Sequence, residues 1–119
     1  MNKLESVKKI LNANGVQNPE TMEFNESYTV ENEGYHDLTI EKIDDDLISV
    51  AHYYTQRMDL MRDPEIVFRI EESGDWTPIE YQQDDLGLYQ RDLSGLSIDG
   101  FVEQWDENLE DQGFVDASR

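Results

Sequence analysis

His36 and His52 are the residues best suited to proton transfer or metal ligation in this 119-residue chain, which contains no cysteine. Without thiols there are no disulfides, thiolate nucleophiles or cysteine-ligated zinc and iron–sulfur sites. If Asp44-Asp45-Asp46 forms a hairpin turn with Ile43 opposite Leu47, His36 faces Tyr54 and lies diagonal to His52 on one sheet face. Two converging imidazoles fall short of the three protein ligands usual at a catalytic zinc, so no metal is expected. A histidine set among Leu38, Ile40, Ile48 and Val50 is more often a satisfied core or rim residue. Asp59, Arg62 and Asp63 lie in one short segment, where ion pairing would brace a turn. Asp84-Asp85 could hold a hard cation, but among 28 acidic residues such pairs arise by chance. No calcium loop, phosphate-binding glycine loop or Gly-x-Ser-x-Gly elbow occurs. No cofactor and no catalytic residue are assigned.

The elements that would position these groups follow from apolar spacing. Leu4, Val7, Ile10 and Leu11 recur at helical intervals, Asn2 with Glu5 resembles a capping pair, and Gly15 suits a left-handed stop. A helix is predicted over about residues 3–14. A connection starts at Asn18-Pro19, and residues 22–31 are read as extended, with Phe24, Tyr28 and Val30 as candidates for burial. From His36 the period shortens to two, giving strands on either side of Asp44-Asp45-Asp46. Residues 57–64 read as a loop, Ile66, Phe68 and Ile70 as a third strand, and Ile79 with Tyr81 as a fourth after Ser73-Gly74-Asp75. Residues 86–90 are a candidate edge strand. Ser97 is the expected N-cap of a last helix whose apolar face is Ile98, Phe101, Val102, Trp105 and Leu109, ended by Gly113. Trp76, Tyr81, Tyr89 and Trp105 are read as core and core-edge aromatics. The expected fold is α+β: an antiparallel meander sheet of four to five strands with an N-terminal and a C-terminal helix packed on it, in a single domain over residues 1–119.

Charge is the other strong signal. The formal net charge is −19, far beyond the magnitude of about 2 to 8 that serves solubility. Such a balance disfavours direct nucleic-acid binding and contact with anionic membranes, and leaves a basic protein surface as the expected partner. Asp99, Glu103, Asp106 and Glu110 form a stripe on the last helix, with Glu107 and Asp111 behind it. No Lys or Arg occurs between Asp99 and Asp116. This stripe reads as a solvated outer face or as a docking surface, with imitation of DNA as a special case. A competing reading is salt adaptation, since a Debye length of about 3 Å in molar salt removes most of the repulsion. The N-terminus lacks an apolar signal region and no run approaches a membrane span, so a cytoplasmic protein is expected.

The stretch Ala51-His52-Tyr53-Tyr54 followed by Met61-Arg62-Asp63-Pro64-Glu65, with Trp76-Thr77-Pro78-Ile79 and the tail Phe101 to Phe114, resembles a small domain family of unknown function. That family is associated with bacterial integrative elements, phages and some archaeal genomes, and the resemblance spans about residues 36–114. It implies an accessory role without an assigned reaction and draws attention to His52, Tyr54, Asp59, Arg62, Asp63 and Glu65 as a functional cluster. Arg57-Met58 stands where the resemblance leads one to expect Asn-Gly. The leading expectation is an acidic accessory or protein-interaction domain that uses the last helix, by the DNA-mimic route in its special form. The alternatives are a His52-centred hydrolase or metal-dependent enzyme, and a halophilic domain of another activity.

Overall fold

The computed structural model describes residues 4–17 and 19–118. The cap expected at Asn2 and the turn expected from Asn18 lie outside them. The chain runs α1 (Glu5–Ala13), a 3-10 turn (Pro19–Thr21), β1 (Ser27–Val30), β2 (Asp37–Asp44), β3 (Leu47–Gln56), β4 (Asp59–Ile70) and β5 (Trp76–Gln83). A second 3-10 turn (Asp84–Leu86), β6 (Leu88–Arg91), α2 (Asp99–Asp111) and α3 (Phe114–Ala117) complete it. The strands form one antiparallel sheet in the order β1-β2-β3-β4-β5-β6. The meander is as expected but has six strands, not four to five, because β1 pairs with β2 and β6 with β5 at the two edges.

Alternation along the strands builds the core. Leu38 and Ile40 of β2, Ile48 and Val50 of β3, and Ile66, Phe68 and Ile70 of β4 are buried in one cluster. The apolar stripes of the helices join them: Leu4, Val7, Ile10 and Leu11 from α1 and its cap, Val102, Trp105 and Leu109 from α2, and Phe114 and Val115 from α3. Each such side chain contributes about 1.5–3 kcal/mol relative to exposure. Phe24, an expected core residue, is instead 66% exposed, since it lies before β1 and has no strand partner to turn it inward. Phe101 is half-exposed, resting edge-on against Tyr81 with ring centroids 5.5 Å apart. Tyr89 is exposed on the short edge strand. Ser97 is not the cap of α2; Ile98 occupies that position and makes no side-chain cap bond.

Lys42 is buried at the edge of this core. Its ammonium donates to the carbonyls of Pro19 and Met22 at 3.0 and 3.3 Å, with Glu20 O at 3.4 Å. The 3-10 turn is thus pinned to β2, with Pro19 O accepting from the Met22 N–H at 3.1 Å as well as from Lys42.

The largest departure from expectation is the segment read as a loop. β3 and β4 continue to Gln56 and Asp59, joined by a two-residue turn in which Arg57 and Met58 have φ of 52° and 72°. Positive φ at both central residues is the requirement of a type I′ hairpin, whose usual sequence is Asn-Gly. Cross-strand pairing therefore holds a turn that these two side chains disfavour. The extension has a second consequence: between the pairs Ala51–Glu65 and Tyr53–Arg62, β4 carries one residue more than β3. The extra residue makes a bulge at Asp63-Pro64, a device that re-aims neighbouring side chains.

Candidate functional site

The bulge divides the cluster expected around His52. Arg62 and Glu65 pair with Tyr53 and Ala51, which point away from the helices. On that face Ser49 Oγ donates to Glu65 Oε2 at 2.6 Å, and Arg62 Nη1 reaches Asp84 Oδ2 at 3.4 Å. Arg62 Nε lies 3.1 Å from Glu65 Oε1, but off the N–H axis, so it makes no hydrogen bond. Arg62 therefore does not brace a turn with Asp59 or Asp63; the bulge sends it to Glu65 and Asp84. The Arg62 backbone N–H, donating to Asp84 at 2.9 Å, heads the interactions that hold the Asp84 carboxyl below its usual range. Asp59 is exposed at the hairpin end, paired with Gln56.

On the opposite face, Asp63 and Pro64 line a cleft of about 230 Å³ with His36 and His52. Trp105 and Asn108 of α2, with Gln112 at its C-cap, supply the far wall, and Tyr35 closes the rim. The rim is tied down: Asn32 Nδ2 donates to Gln112 O at 2.8 Å, and the Tyr35 ring lies 5.7 Å from Phe114. His36 does face Tyr54, their rings stacked at 4.6 Å and 22°, because the β2–β3 register is the expected one up to its shift at Asp44.

His52 sits between aromatic rings, 5.7 Å from Trp105 and 5.2 Å from Phe114, and is 9% exposed. Burial lowers its pKa below the ordinary 6.5, outweighing the His36 carbonyl and the Asp63 charge. The 3.2 Å contact from Nδ1 to His36 O places the proton of the neutral ring on Nδ1 and makes Nε2 the acceptor. Asp63 Oδ1 accepts from Gln83 Nε2 at 2.9 Å. Among the described residues, no three His, Asp or Glu side chains converge to hold a metal ion.

The carboxylates of α2 have different environments. Asp106 Oδ1 accepts from both the N–H and the Oγ–H of Ser6, at 2.8 and 2.5 Å, and Glu110 pairs with Lys9 at 2.9 Å. Glu103, Glu107 and Asp111 are exposed, as is Asp99 at the start of the helix. Tyr35, Asn108 and Gln112 were not singled out by the sequence. The signal was there in part: Asn108 and Gln112 interrupt the apolar side of α2 at i+3 and i+7 from Trp105, as expected where a helix borders a cleft instead of core.

A six-strand meander covered on one face by terminal helices, with a bulge-built cleft between sheet and α2, defines this as a small α+β domain. The chain belongs to the family described as Domain of unknown function (DUF6908), whose model matches residues 5–115. No curated protein and no solved structure matches it. Among the described residues no helix is long and apolar enough to cross a membrane.

Proposed function

We propose that this protein is an acidic interaction domain, an accessory factor of integrative elements or phages, that engages a basic protein surface through α2. The observation that carries the reading is the split of that helix: Val102, Trp105 and Leu109 are buried while Glu103, Glu107 and Asp111 project outward at four-residue spacing with no cation in the helix. Like charges at i,i+4 cost about 0.2–0.5 kcal/mol per pair. Their arrangement is unfavourable for the isolated domain and favourable against a positive partner.

Density favours a basic protein surface over imitation of DNA. A helix of 13 residues is about 20 Å long, a length in which a duplex presents roughly 12 phosphates. α2 carries six carboxylates, two of them already bound by Ser6 and Lys9.

The test is capture from host lysate at low and high salt, with wild type beside Glu103→Lys, Glu107→Lys, Asp111→Lys. A basic partner held at low salt, released at high salt and lost in the triple variant supports the reading. Capture that ignores both changes contradicts it.

A further inference from the structure

The cleft has a ligand preference of its own. Tyr35 and Trp105 line it with aromatic rings, Asp63 contributes a carboxylate, and no Lys or Arg is among the lining residues. Burial works against the charged form of His52. Asn108 and Gln112 line the α2 side with uncharged amides. The volume, about 230 Å³, exceeds the roughly 150 Å³ that admits a benzene ring. A flat polar cation of that size or smaller matches each of these features. The outward stripe adjoins the same cleft, since Asp111 lies one turn from Asn108.

We infer that the cleft receives an arginine side chain of the basic partner, its guanidinium set against Tyr35 and Trp105 and its charge met by Asp63. This rests on the reading of the partner as a basic protein, but makes a separate demand on a separate set of residues. Arginine fits better than lysine because its guanidinium is planar, weakly hydrated and able to stack on rings, whereas an ammonium is compact and strongly hydrated. The α2 stripe supplies unspecific attraction, and the cleft supplies side-chain selection.

The experiment is an NMR titration of the full chain with two probes, acetyl-Gly-Arg-Gly-Arg-Gly-amide and its lysine counterpart. The arginine peptide is expected to shift the Trp105 indole and His52 ring signals and to bind about three- to tenfold more tightly, the scale of one cation–π contact. Asp63→Asn, which keeps the shape, and Tyr35→Ala, at the exposed rim, should each remove most of that preference while the fold is retained. Equal affinity for the two peptides, or an arginine preference intact in both variants, overturns the inference. If the α2 triple variant still loses a basic partner in that case, the interaction reading stands and the cleft assignment alone fails.

Discussion

Asp106 on α2 caps α1 from 100 residues away, accepting the Ser6 backbone N–H at 2.8 Å and its hydroxyl at 2.5 Å. Leu4, at the cap position of α1, has no side chain that could do this. One residue of the acidic stripe is therefore a structural cap. Asp106→Ala should cost about 0.5–2 kcal/mol in denaturant unfolding, the scale of a lost N-cap. Glu107→Ala, one position on and exposed, should stay within about 0.5 kcal/mol of wild type. Equal effects would show that Asp106 is an ordinary surface charge.

Lys42→Met should destabilise by about 1–3 kcal/mol, since it removes the buried ammonium that bonds the carbonyls of Pro19 and Met22. Loss of a cation from so acidic a chain also adds repulsion, so high salt should restore only part of the deficit. Full restoration by salt would mean that Lys42 acts by charge alone.

Arg57→Asn with Met58→Gly should stabilise the protein by about 1–2 kcal/mol, because both positions have positive φ that favours the new residues. The measurement is the shift in unfolding midpoint, at unchanged dependence on denaturant. A destabilised double variant would contradict the turn.

His52 should titrate below the 6.5 of a free imidazole, because burial disfavours its charged form. The unfolded chain then takes up this proton first on acidification. The contribution from neutral His52 is complete above about pH 6.5 and is lost as pH falls through the lowered folded-state value. The stability difference between wild type and His52→Leu should therefore shift against wild type between pH 7.5 and 5. NMR titration of the His52 ring provides the direct value, and a pKa above 6.5 would reverse the sign.

The inner strands were readable because two-residue alternation in Leu38–Ile40, Ile48–Val50 and Ile66–Phe68 leaves one register that buries them all, and His36 opposite Tyr54 followed from it. Residues 57–64 misled because Arg57-Met58 has no turn chemistry and Asp63-Pro64 suggests a break. Pairing across the hairpin overrode both local preferences. The cleft was hidden for the same reason: one extra residue in β4 sends Asp63 toward His52 and leaves Arg62 and Glu65 on the other face. Nothing in sequence spacing could show that Asp106 and Glu110 are taken up by Ser6 and Lys9, since those contacts depend on how α1 lies across α2.

On the proposed reading, position and not total charge makes α2 the docking surface. Two variants of identical net charge separate these: Glu103→Lys, Glu107→Lys, Asp111→Lys on α2, and Asp45→Lys, Asp46→Lys, Glu72→Lys at the hairpin turns. Affinity for the captured basic partner is measured by calorimetry near 0.1 M salt, where the Debye length is about 10 Å. The α2 variant should lose at least tenfold in affinity and the turn variant only a fewfold. Equal losses in both would show that the charge acts as a diffuse field and would remove α2 as the interface.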